Sequence, residues 1–125
     1  MKKVVVIEQN QLIQRIVRSW LTEEEFDVMT IESTFKLNNR IIYFKPDLII
    51  TDNMLLNTNS LVNTFSQLNY PKLVISSSEE KDVKLFAARI KALAYYAKPI
   101  NLIEIFGFIH DYFFEKNKTK NTQQL

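Results

Sequence analysis

The sequence predicts an α/β fold in which a five-stranded parallel sheet is covered on both faces by five helices, a (βα)5 doubly wound arrangement. Three observations carry that expectation. Short runs of β-branched and apolar residues alternate with longer amphipathic stretches along the chain, and such alternation demands right-handed crossovers between parallel neighbours. The first run, Lys3–Ile7 (KVVVI), is continuously apolar after its lysine, which marks a strand buried on both faces. The chain has 125 residues, enough for one domain and too few for two independent cores.

The elements follow in order. Leu12, Ile13, Ile16, Val17, Trp20 and Leu21 form a one-sided stripe at helical spacing and predict a first helix. Phe26–Ile31 predicts a second strand and Phe35–Phe44 a second helix. Pro46 breaks the chain before a third strand, Asp47–Thr51 (DLIIT). Leu61–Leu68 predicts a short third helix capped by Asn59 or Ser60. After Pro71, Leu73–Ser76 predicts a fourth strand. Ser77 followed by Glu80 resembles a capping box and predicts a fourth helix from Glu79 or Glu80 to Lys91. Leu93–Ala97 predicts the fifth strand, and Asn101 with Glu104 a second capping box opening the last helix. The folded domain is expected over residues 1–116, with 117–125 as a polar, basic tail or linker stub.

Composition narrows the chemistry. Hydrophobic residues make up 46% and charged residues 24% of the chain, as in a folded rather than a disordered protein. There is no cysteine, so disulfides, thiolate nucleophiles and Cys-based zinc sites are excluded. His110 is the sole histidine, which leaves His-rich metal sites and Ser-His catalysis almost nothing to build on. A single glycine, Gly107, excludes glycine-lined phosphate loops. The net charge of +2 and the few lysines of the tail, Lys116, Lys118 and Lys120, give little push toward direct nucleic-acid binding. No apolar run is long enough to span a bilayer, and MKKVVVIEQN lacks a secretory h-region. A cytoplasmic location is therefore the expectation.

In open parallel sheets, ligand sites lie beyond the carboxyl ends of the strands where the strand order reverses. The polar residues there are Glu8 and Gln9, Asp52, Ser76 and Lys98. They form a set suited to accepting a phosphoryl group. A strand-end carboxylate can attack phosphorus, while a neighbouring hydroxyl and ammonium can hold the phosphoryl oxygens. A divalent cation held by carboxylates would offset charge. Taken singly, Asp52 could cap a strand end, Ser76 and Lys98 could be ordinary surface groups, and Tyr95 could be a packed aromatic.

Taken together, VVVIEQN, IITDNMLLNTNSL, VISSS and AYYAKPI resemble the response-regulator receiver domains of two-component signalling, from Lys3 to about Phe114. That resemblance implies a flavodoxin-like receiver fold with Asp52 as phosphoacceptor, Ser76 as switch hydroxyl and Lys98 as the cation bridging to the phosphoryl group. It makes Tyr95 the aromatic switch, gives Lys98-Pro99 a cis peptide, and places Mg²⁺ among Glu8, Gln9, Asp52 and the Met54 carbonyl. The chain departs from the pattern where a second acidic residue is replaced by Gln9, which brings no charge to a magnesium site and should weaken metal affinity. Leu56 stands where many receivers have proline, and Asn59-Ser60 replaces the usual Asp-Gly turn. The segment between Asp52 and Ser76 is several residues shorter than usual, which trims the third helix.

In the last helix, Leu102, Phe106, Ile109 and Phe113 form a core-facing stripe, while Ile105, Phe108 and Tyr112 form a second apolar line. That line either widens the core face or provides a partner or dimer surface. It would suit the signalling face that the resemblance implies, formed by helix 4, strand 5 and helix 5. The leading expectation is a receiver phosphorylated on Asp52 by a histidine kinase or phosphotransfer protein, with no enzymatic activity beyond self-catalysed phosphoryl transfer to and from Asp52. With no output domain visible, it would be a stand-alone receiver or a fragment of a longer regulator. The alternative is an atypical receiver that no longer depends on phosphate and works as an interaction or dimerisation module. A flavodoxin-like cofactor enzyme would need a Ser/Thr/Gly-rich loop that EQNQ does not supply.

Overall fold

A computed structural model describes residues 1–97 and 99–115. The order is β1 (Lys3–Ile7), α1 (Gln11–Glu23), β2 (Asp27–Ile31), α2 (Leu37–Phe44), β3 (Leu48–Thr51), α3 (Asn59–Ser66), β4 (Lys72–Ile75), α4 (Glu80–Arg89), β5 (Ala94–Tyr96) and α5 (Leu102–His110). A π-helical turn, Asp111–Glu115, extends α5. All strand pairs are parallel, in the order β2-β1-β3-β4-β5. The expected flavodoxin-like (βα)5 fold is therefore the one adopted.

Because side chains alternate across a strand, the sheet feeds two cores. Val5, Ile7, Ile49 and Val74 pack with Leu37 and Ile41 of α2, Val62 and Phe65 of α3, and Val83, Phe86 and Ala87 of α4. Val4, Val6, Leu48, Ile50, Leu73 and Ile75 pack with Val17 and Leu21 of α1 and with Ile105 and Ile109 of α5. Leu56 is buried in the first core, so it fills space beneath the loop that follows β3.

Several expectations are corrected by packing. On α1, Leu12 and Ile16 are 67% and 39% exposed. The inner line is turned toward Val17, Leu21 and Gln14, and Gln14 is drawn in because its amide donates to the Glu8 carbonyl at 3.1 Å. α2 begins two residues later than expected, leaving Phe35 exposed. The cap of α3 is Thr58, whose hydroxyl accepts from the Leu61 N–H at 3.2 Å. Asn59 is already helical and needs no left-handed turn. Ser77 does not cap α4, where Glu79 holds the cap position without a side-chain hydrogen bond. Asn101 does cap α5, accepting from the Glu104 N–H at 3.1 Å. With so little glycine, the left-handed positions around helix ends fall on Glu25, Lys36, Lys45 and Lys91. At Lys91 the chain closes α4 through Ala92 N–H to the Ala87 carbonyl at 2.9 Å, a Schellman-type end.

The expected interface line on α5 is also corrected. Ile105 is fully buried and, with Ile109, forms the innermost line of the helix; residues four apart share a face. It cannot serve as a docking residue. Phe108 and Tyr112 are half-buried and stack on one another with centroids 6.4 Å apart. The apolar residue that α5 exposes is Ile103, at 85%. Beyond the helix, Phe113 packs on Phe26 at 5.2 Å, while Trp20 lies flat on Phe106 at 4.2 Å.

Candidate functional site

The order β2-β1-β3 places β1 and β3 side by side where the winding reverses, so their carboxyl ends face the crevice between the helix layers. Backbone hydrogen bonds carry the ladder past the strand ends. Asp52 N–H donates to the Ile7 carbonyl at 3.1 Å, Glu8 N–H to Ile31 at 3.1 Å, and Ser76 N–H to Tyr96 at 3.0 Å. Glu8, Asp52 and Ser76 are thereby fixed on a rigid edge, and all three are buried, at 2%, 5% and 1% exposure.

Two carboxyl groups in so dry a place cannot both ionise cheaply. Burial, and next the charge of Asp52, push Glu8 up from 4.5 to about 7. Burial also raises Asp52, against the hydrogen bond its Oδ1 receives from Met54 N–H. The Glu8 and Asp52 carboxyls are hydrogen-bond partners, and Glu8 accepts from Asn10 N–H at 3.2 Å. At neutral pH the pair therefore favours a single proton held between the two carboxyls.

Beside Asp52, the Ser76 hydroxyl donates to Asn53 Oδ1 at 2.7 Å and accepts from Ser78 N–H at 3.0 Å. Ser78 Oγ donates to the same Asn53 oxygen at 3.1 Å. Asn53 and Ser78 did not stand out in the sequence. Their signal was positional: Asn53 follows the strand-end aspartate, and Ser78 lies two residues beyond the strand-end serine.

Tyr95 and Tyr96 point to opposite faces of β5, yet both are half-buried. Tyr95 packs on the α2–α4 core, whereas Tyr96 meets the edge of Phe108 at 6.3 Å in the other. Gln9 is exposed. Lys98, the Lys98-Pro99 peptide and the tail with Lys116, Lys118 and Lys120 lie outside the described residues. Among the described residues, no three His, Cys, Asp or Glu side chains gather as a metal cluster. Glu8 and Asp52 nonetheless suit a small dication that keeps several waters, because its charge would offset the burial and the repulsion that raise Glu8.

The family model for the response regulator receiver domain matches residues 4–110. The chain belongs to the response-regulator receiver family. This receiver's fold is shared with solved structures of low identity. The CheY-like receiver domain protein of Methanospirillum hungatei is 18% identical, with a TM-score of 0.78, covering 95% of this chain and 98% of that one. The BeF3-activated N-terminal receiver domain of Klebsiella pneumoniae RstA is 19% identical, with a TM-score of 0.73, covering 87% and 96%. The Ssk1 receiver domain of Saccharomyces cerevisiae, solved with the histidine phosphotransfer protein Ypd1, gives 19% and 0.70, covering 88% and 87%. No curated protein sequence matches the receiver. Receiver domains are in general signalling modules rather than enzymes, and among the described residues no helix is long and apolar enough to cross a membrane.

Proposed function

We propose that this receiver takes a phosphoryl group onto Asp52 from the phosphohistidine of a histidine kinase or phosphotransfer protein in the cytoplasm. The observation that carries the reading is the buried Glu8–Asp52 pair beside the Ser76 hydroxyl on adjoining strand ends. When the pair is ionised, as a bound dication would favour, an Asp52 oxygen offers its lone pair for in-line attack on phosphorus. The P–N bond of the donor breaks as the O–P bond forms. Its electron pair returns to the imidazole nitrogen, which gains a proton. Ser76 then donates to a phosphoryl oxygen, and Lys98, which matches the family motif in sequence, would supply the bridging ammonium. Mg²⁺ bound by Glu8, Asp52 and the Met54 carbonyl would offset the negative charge of the transferred group. Gln9 would add at most a neutral oxygen ligand, so weak metal affinity is expected.

The signal would pass as Ser76 is drawn to the phosphoryl group and the half-buried Tyr95 follows it inward. The surface of α4, β5 and α5 would change with it, including exposed Leu85, Leu93 and Ile103. A second copy of the chain or a partner protein would read that face, with Phe108 and Tyr112 at its border. Incubation with phosphoramidate and Mg²⁺ tests the proposal by intact mass. The expected result is one hydroxylamine-labile phosphoryl adduct, absent from Asp52→Asn. No adduct at saturating metal would overturn it and favour a phosphate-independent interaction module.

A further inference from the structure

Resting on the reading of Asp52 as phosphoacceptor, we propose that Asn53 is a positioning residue that latches the Ser76 hydroxyl, so that switching requires Ser76 to leave Asn53. A serine hydroxyl has one hydrogen to donate. Here that hydrogen goes to Asn53 Oδ1 at 2.7 Å, while Ser76 Oγ itself accepts from Ser78 N–H at 3.0 Å. The Asn53 oxygen is in turn held by a second donor, Ser78 Oγ at 3.1 Å. Ser76 is 1% exposed, so water does not readily replace a broken partner, and its hydroxyl moves only by exchanging one acceptor for another.

A phosphoryl oxygen is the stronger acceptor, because hydrogen bonds to an anion are about twice as strong as neutral ones. The exchange therefore runs toward the phosphoryl group, but each binding event forfeits the Asn53 bond. Asn53 and Ser78 set the threshold at which Asp52 modification moves Ser76. Asn53 thus acts on the phosphoryl site through the Ser76 hydroxyl.

Beryllofluoride, a phosphoryl mimic, tests the latch when titrated with Mg²⁺ and followed by fluorine NMR. Asn53→Ala should bind beryllofluoride between about twofold and tenfold tighter than the native chain, the range set by one net hydrogen bond. Asn53→Asp keeps an acceptor oxygen and should bind no tighter than the native chain. In a Ser76→Ala background, which has no hydroxyl to release, Asn53→Ala should leave the affinity unchanged. Asn53→Val, which lacks the acceptor but keeps bulk, repeats the test should Asn53→Ala fail to fold. Equal affinity for native and acceptor-less chains overturns the latch alone, as does the same gain with and without the Ser76 hydroxyl. Absence of a beryllofluoride adduct in every chain overturns the phosphoacceptor reading, and the latch with it.

Discussion

Glu8→Gln should stabilise this receiver above neutral pH and change its stability little at acid pH. The native carboxyl is pushed from 4.5 to about 7 by burial and by Asp52. A raised folded-state value means that the native state holds a proton the unfolded chain has already released between those two values. Stability therefore falls as pH rises through that window. The favourable contribution is complete below 4.5 and lost above about 7. The shift corresponds to at most about 3 kcal/mol, and water at the open strand ends reduces it to on the order of 1–2 kcal/mol. The amide introduced by Glu8→Gln would keep both roles of the protonated acid, donating to Asp52 and accepting from Asn10 N–H, without ionising. At pH 8 the variant should melt about 4–8 °C above the native chain, and at pH 4 the two should coincide. Thermal unfolding followed by Trp20 fluorescence is a suitable assay, since that ring is stacked on Phe106. A native melting temperature flat from pH 5 to 8, or an offset of equal size at every pH, would refute the carboxyl-pair reasoning.

Other perturbations address the fold. Ile105→Asp should unfold the domain by placing a charge in the α1–α5 core, whereas Ile103→Asp, at an 85% exposed site, should change the urea midpoint little. Gly107→Ala should raise stability by about 0.5–1 kcal/mol, because a Cβ there meets nothing within 4 Å and glycine is costly inside a helix. Lys72→Met should cost about 2 kcal/mol or more by urea denaturation. The buried ammonium donates to the Leu68 and Tyr70 carbonyls at 2.5 and 3.2 Å, and methionine leaves both without that donor.

The strands were legible because short apolar runs, three of them buried and rich in Val, Ile and Leu, recur at the spacing of crossovers and leave few other folds open. Once their carboxyl ends were placed, Glu8, Asp52 and Ser76 followed by position. Helix faces were harder to read. In α1 the pattern of Leu12 and Ile16 matched an inner face as well as Val17 and Leu21 did, and a buried glutamine settled the rotation. In α5 nearly every residue is apolar, so periodicity could not single out the Ile105–Ile109 line. Asn53 and Ser78 were hidden for another reason: polar residues near a strand end are common, and only the distances make them partners of Ser76. Ser77 satisfied a capping pattern that the backbone does not use.

The most direct test of the central claim is an amide chemical-shift map of the native chain and Asp52→Asn, recorded with Mg²⁺ before and after addition of phosphoramidate. Shifts in the native chain should begin at Asp52 and Asn53, pass through Ser76 and Ser78, and reach Tyr95 and the surface of α4, β5 and α5, while Asp52→Asn stays unchanged. A native map identical with and without the donor, or the same shifts in both chains, would contradict phosphoryl transfer to Asp52.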